Sequence, residues 1–275
     1  MTYLHWLVQI TVAFVVAERL FPWRRAQPFL RPGWGRDLAF LAVNGHVFGL
    51  ATAALNAWLA LRCVALLRPL GLAPEGTGIS RGPFLAQFAA LLVASYFLQW
   101  GIHNLLHRVP FLWTFHKVHH SIAVMDFVGN FRFHFMEIVV YKSLQWLPLA
   151  WLGASSEALL AVAVLSTLWG DFNHSNLRVG LGPLGYVFNN PKMHLWHHDA
   201  STEGGVAKNF GVVFSLWDFL FRTAYWPRDR SPERLGYPGD AEMPQGFVGQ
   251  FAWPLTRAGR GPAREASGAP PGPPG

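Results

Sequence analysis

The 275-residue sequence predicts an all-α, multi-pass membrane protein of about four to five membrane helices with a cytoplasmic, histidine-rich helical cap. Three observations carry that reading. Hydrophobic residues make up 52% of the chain and charged residues 13%, with a mean hydropathy of +0.23. A typical soluble domain carries about 25% charged residues. Uncharged runs cover residues 1–17, 38–61 and 83–102. Ten of the twelve histidines fall between His103 and His198, eight of them in three tight clusters.

The runs define the elements in order. A helix needs roughly 20 apolar residues to cross the hydrocarbon core, so the second and third runs qualify and the first is borderline in length. The first run has no basic residues before it, and its arginines follow it, the reverse of a secretory signal. It reads as an uncleaved anchor with its N-terminus outside. A fourth apolar region, 138–169, is interrupted by Lys142, Pro148, Gly153 and Glu157 and predicts a hairpin of two short helices turning near 153–157. Residues 1–82 are thus N-terminal membrane helices, 83–226 the catalytic region and 227–275 a C-terminal tail. Its end, 259–275, is rich in Gly, Pro and Ala and predicts disorder.

Basic loops favour the cytoplasmic side. Arg24, Arg25, Arg31 and Arg36 follow the first run, and Arg108, Lys117, Arg132, Arg178, Lys192, Lys208 and Arg222 fall among the histidine segments. Two crossings separate the first loop from those segments, so both are expected in the cytoplasm. The +7 charge is interleaved with aromatics and follows this topology. Anionic lipid headgroups explain it without a nucleic-acid partner. Cys63 is the only cysteine, which excludes an intrachain disulfide framework and a thiolate zinc site; its apolar setting predicts a buried thiol. Residues 180–185 spell G-x-G-x-x-G, but no strand precedes them and Pro183 interrupts them, so they read as a turn. The sequon at Asn173 falls on the cytoplasmic side. Trp100, Trp113, Trp196 and Trp217 read as an interfacial aromatic belt.

The clusters are His103 with His107; His116, His119 and His120; and His194, His197 and His198. On a helix, positions i, i+3 and i+4 share a face, so each cluster aims its rings at one point. One zinc takes about four ligands, so eight imidazoles with His134 and His174 suit two ions. Imidazole suits zinc, copper, iron and nickel alike. No H-E-x-x-H hydrolase motif occurs. A redox pair that activates dioxygen beside lipid is the better fit, because unactivated C–H bonds are the reactive feature of acyl chains and sterols.

Beyond this chemistry, the chain resembles the membrane-bound fatty acid hydroxylase and sterol desaturase superfamily over residues 96 to 223. His103-Asn-Leu-Leu-His107 resembles the first histidine box and Leu112-Trp-Thr-Phe-His-Lys-Val-His-His-Ser121 the second. Arg132-Phe-His-Phe-Met-Glu137 resembles the Arg-x-His-Pro-x-Glu element, and Asn173-His-Ser-Asn176 the Asn element. Pro191-Lys-Met-His-Leu-Trp-His-His198 resembles the last box, followed by Asn209-Phe-Gly211 and Ser215-Leu-Trp-Asp218. Asn104, Phe135 and Phe210 depart from the usual Arg, Pro and Tyr. The resemblance implies a di-iron oxygenase with two iron ions, for which zinc substitutes in preparations, held by His103, His107, His116, His119, His120, His134, His174, His194, His197 and His198. Glu137, Asp171, Asp199 and Asp218 are the expected carboxylate partners of the ligand rings.

The expected function is oxygen-dependent hydroxylation or desaturation of a lipid: a sterol, fatty acyl chain or related molecule. No nucleotide site or haem domain is evident, so a separate electron donor is expected, either cytochrome b5-like or a ferredoxin with its reductase. The expected location is a bacterial inner membrane, or an endomembrane in a eukaryote. The alternative is a non-redox metal-binding membrane protein, a transporter or metal store; transport favours ionisable residues within the spans, whereas here they gather outside them. The sequence leaves the substrate and the oligomeric state open.

Overall fold

A computed structural model describes residues 2–71, 78–151, 154–201 and 208–257. Among these, ten α-helices and short 3-10 turns form the fold, and the only β-type pairings are two isolated bridges. Helix α1 covers Tyr3–Leu20, α2 Trp34–Ala42, α3 Gly49–Leu67 and α4 Phe84–Arg108. A π-helical turn, Val43–Phe48, joins α2 to α3 without a break. Helix α5 covers Pro110–His120, α6 Phe135–Trp151, α7 Ser156–His174 and α8 Pro191–His197. The short α9, Leu216–Leu220, and α10, Phe247–Arg257, complete the order.

Two stretches among the described residues are long and apolar enough to cross a membrane, Gly49–Leu70 and Phe84–Arg108. At 1.5 Å per residue the 25 residues of α4 reach about 37 Å, more than the roughly 30 Å hydrocarbon core. Thr52 is the only buried residue of α3, while Leu50, Leu55, Trp58, Leu61 and Leu66 face outward. Cys63 faces outward with them. The expectation of a buried thiol is therefore wrong: an apolar setting in the sequence signified exposed apolar surface, not protein core.

The predicted hairpin is present as α6 and α7, with Pro148 inside α6; residues 152 and 153 of its turn lie outside the described set. Both helices pack on α4. Leu91 of α4, Leu149 of α6, and Ala158 and Val162 of α7 form a fully buried cluster. Helix α1 packs on α7, and the Tyr3 hydroxyl meets Thr167 Oγ1 at 2.6 Å, so α1 starts beside the later half of α7. Its far end is pinned by Glu18, which accepts from the Asn176 and Phe127 backbone N–H groups.

The sequence predicts a turn over residues 108–113 between the first two histidine boxes, with Pro110 as its helix breaker; in the structure only Val109, in extended conformation, separates α4 from α5, and Pro110 opens α5. Proline is favoured at a first helical position, where its missing N–H is not needed, and it disfavours helical geometry in the residue before it. Residues 180–185 form a turn with Leu181 at φ 54°, as the sequence predicts. The Asn173 side chain is buried and donates to the Val212 carbonyl. The Gly- and Pro-rich end, 259–275, and the side chain of His46 lie outside the described residues.

Candidate metal centre

Nine histidines converge where α4, α5, α7 and α8 end. His103 and His107 lie one helical turn apart on the last two turns of α4. His116, His119 and His120 lie on the last turns of α5, and His174 ends α7. Helix α8 is opened by Pro191 and capped by the Asn190 side chain, which accepts from Met193 N at 3.2 Å. It carries His194 and His197, with His198 just beyond it.

The nine rings sort into two groups. His103, His107, His116, His120 and His197 form one; His119, His174, His194 and His198 form the other. Within each, the ligand atoms lie within 4.8 Å of one another. The groups abut: the His120 and His198 rings are 4.4 Å apart and those of His194 and His197 5.2 Å. Positions i and i+4 serve one group (His103 with His107, His116 with His120, His194 with His198), whereas i+3, turned by about 100° from i+4, serves the other (His119, His197), so the second and third clusters divide between the groups rather than aiming at one point. Thus His119 and His120, adjacent in sequence, face separate groups.

Second partners fix the tautomers. His103 Nδ1 donates to the Phe210 carbonyl at 2.8 Å, His116 Nδ1 to Glu137 Oε1 at 2.9 Å and His197 Nδ1 to the Lys208 carbonyl at 2.7 Å. His119 Nδ1 donates to the Arg132 carbonyl at 3.2 Å and His174 Nδ1 to the Gly170 carbonyl at 2.8 Å. Burial first, then the neighbouring imidazoles, push His116, His119, His120, His194, His197 and His198 well below their usual pKa of 6.5, so these rings are neutral. A neutral ring with Nδ1–H committed has a bare lone pair at Nε2. Yet His103 Nε2 faces His116 Nε2 at 3.1 Å, and His174 Nε2 faces His119 Nε2 at 3.3 Å; His194 Nε2, whose ring has no partner at Nδ1, lies 3.2 Å from His174 Nε2. His107, His120 and His197 each bury an Nε2 without a hydrogen-bond partner, and His198 buries both ring nitrogens so.

Lone pairs opposed at this range are unfavourable unless a cation lies between them. The spacing is that of ligand atoms on one ion, since metal–nitrogen bonds of about 2.1 Å place neighbouring ligands roughly 3.0–3.4 Å apart in octahedral or tetrahedral geometry. The residues therefore fit two metal ions.

The structure does not bring His134 into either group. Its ring is spent elsewhere: Nε2 donates to the Phe251 carbonyl at 2.9 Å and Nδ1 accepts from Met136 N at 3.2 Å. Of the four predicted carboxylates only Glu137 reaches a histidine. Asp218 acts one step back, accepting from Phe210 N, Gly211 N, Thr223 Oγ1 and Trp100 Nε1, and so holding the turn whose carbonyl orients His103. Gly211 is needed there because a Cβ would sit 2.1 Å from the Phe214 carbonyl oxygen. Asp199 pairs with Lys208 Nζ at 3.1 Å, steadying the residue whose carbonyl orients His197. Asp171 takes the Asn130 amide instead and touches no histidine. Most acceptors are thus backbone carbonyls, which no residue spacing reveals. The belt reading also divides: Trp196 is buried, Trp113 packs on His107 and His120, and only Trp100 and Trp217 join the outward cluster with Phe97 and Phe221.

The described residues thus form an all-helical scaffold with two polyhistidine groups that could hold metal ions, set at the end of a helix long and apolar enough to cross a membrane. Residues 88–223 match the fatty acid hydroxylase family model, so the chain carries a fatty acid hydroxylase domain. It is 32% identical to the ornithine lipid hydroxylase of Rhizobium tropici over 178 residues, covering 65% of this chain and 53% of that protein. Alkylglycerol monooxygenase of Caenorhabditis elegans is 29% identical over 139 residues, covering 49% of this chain and 26% of the relative. The human alkylglycerol monooxygenase is 27% identical over 143 residues, covering 50% and 30%. The chain therefore spans about half or less of each relative. No solved structure matches it.

Proposed function

We propose that this protein is an oxygen-dependent di-iron lipid hydroxylase or desaturase, with 83–226 as its catalytic unit. The observation that carries this reading is the set of opposed, unprotonated Nε2 atoms in two groups of five and four histidines. Relatives that are named as lipid hydroxylases and monooxygenases support it. Among desaturation and hydroxylation, the names of the relatives favour hydroxylation, and an ornithine-type or glycerol-based membrane lipid is the substrate class they favour.

Two iron ions held by the nine histidines would supply the redox chemistry that activates dioxygen and oxidises an unactivated C–H bond; zinc would occupy the same imidazole sites without it. The chain's own residues do the rest. Glu137 and the carbonyls of Phe210, Lys208, Arg132 and Gly170 hold five rings in one tautomer and orientation. The buried rings keep bulk water from the site, and the apolar flank of α4 at Phe97 and Leu105 offers lipid a lateral approach. Electrons come from a separate donor, cytochrome b5-like or a ferredoxin with its reductase.

We place α3, α4, α6 and α7 as membrane helices, with the histidines on the cytoplasmic side of a bacterial inner membrane or an endomembrane. The functional test is to express the chain in a host lacking it and compare lipid extracts by mass spectrometry. A lipid that gains one oxygen atom, absent with His197→Ala, is expected; extracts that stay identical, with metal-loaded protein and a donor present, contradict the reading.

A further inference from the structure

We infer that Asp37, which lies outside the matched 88–223 domain, is a positioning residue for one of the two metal groups, the one containing His119. This rests on the reading of the nine histidines as metal ligands. Asp37 is fully buried on α2 and receives the Arg132 guanidinium on both oxygens, from Nε at 2.5 Å and from Nη2 at 2.8 Å. Arg31 Nη2 bridges Asp37 Oδ2 and Asp126 Oδ1, each at 2.6 Å. Arg36 Nε adds a longer contact to Asp37 Oδ1 at 3.7 Å, so two buried aspartates hold three arginines, and the bidentate Arg132 pair fixes orientation as well as distance.

What the cluster holds is the wall of the second histidine group. Arg132 Nη1 donates to the Ser121 carbonyl at 3.0 Å, fastening the end of α5 just past His119 and His120. The carbonyl of Arg132 itself takes His119 Nδ1, and the Phe133 ring stacks on the His119 ring at 4.5 Å with 13° between planes. Asn44 Nδ2 donates to the Phe133 carbonyl one residue on. Asp37, Phe40 and Asn44 are spaced i, i+3, i+7 and are all buried, so one face of the α2 helix and its π-helical turn grips residues 132 and 133 at two points. The asymmetry is the informative part. In the other group, His103, His116 and His197 are oriented by Phe210, Glu137 and Lys208, none of which touches the Asp37 cluster.

Loss of a residue that orients a ligand through its partner typically weakens metal binding by roughly 10–100-fold. The full-length Asp37→Asn protein, purified in detergent and reconstituted with ferrous iron or cobalt, is therefore expected to hold about one ion per chain where the parent holds about two. Its cobalt absorption spectrum should match that of His119→Ala, because both leave the five-histidine group filled. Asn44→Ala is the milder companion for the case that Asp37→Asn does not fold, with the same single-group loss expected at lower metal concentration. Two ions bound with parental affinity in both variants would overturn the inference, and so would equal weakening of both groups. A parent protein that itself binds at most one ion would instead overturn the two-metal reading, leaving the two failures distinct.

Discussion

His103 Nε2 and His116 Nε2 face each other at 3.1 Å while each ring has already given its Nδ1–H away, one to the Phe210 carbonyl and one to Glu137. Neutral rings oriented in this way present their Nε2 lone pairs to a common point, an arrangement that suits a cation between them.

Glu137 is the one carboxylate in direct contact with a predicted ligand, so Glu137→Gln should lower metal affinity in the five-histidine group by roughly 10–100-fold while the helices still form. Competition against a chelator of known affinity measures this directly. Unchanged affinity would mean that Glu137 does not tune His116.

His134 and His197 should behave oppositely, although both sit in family motifs. His197→Ala is expected to abolish turnover and lower metal content. His134→Gln should retain both ions and lose stability on the order of 1–2 kcal/mol for the Phe251 hydrogen bond. Elemental analysis beside a thermal melt separates the two. Metal loss in His134→Gln would return His134 to the ligand set.

Much of this was legible in the sequence. The two long apolar helices, the hairpin turning near 153–157 and nine of the ten candidate histidines that converge follow from run length, spacing and the family resemblance. What was not legible depends on contacts distant in the chain. A motif alone places His134 among the ligands, but its direction is set by α10, over a hundred residues away. Hydropathy gives Cys63 an apolar setting without saying whether lipid or protein supplies it. Run length does not show that α1 starts level with Thr167, and nothing about Asp37 in the sequence marks its tie to Arg132.

The metal-free protein should be acid-sensitive. His116, His119, His120, His194, His197 and His198 have folded pKa values well below 6.5, so the unfolded chain binds more protons as pH falls past that value. Their neutral burial supports the fold above about pH 6.5, and that support is lost progressively below it. Melting temperature of chelated protein should be level near pH 8 and fall steeply between about pH 6.5 and 5. A flat profile across that window would show that the rings are not buried as neutral groups.

The proposed sidedness has α3 and α4 as full spans with the loop between them outside. On a Cys63→Ala background, Arg81→Cys should react with a membrane-impermeant thiol reagent in intact cells, whereas Glu233→Cys, on an exposed segment beside the histidine cap, should react only after lysis. The reverse pattern would place the centre away from cytoplasmic reductant.

The most direct test of the central claim is isotopic. Membranes carrying the iron-loaded protein, a reductant and its donor are supplied with heavy-isotope dioxygen in ordinary water, and the modified lipid is weighed. One heavy oxygen atom per hydroxyl, lost in His197→Ala, is the predicted result; a product whose oxygen comes from water, or no oxidised lipid at all from the metal-loaded protein, would contradict an oxygenase built on these histidines.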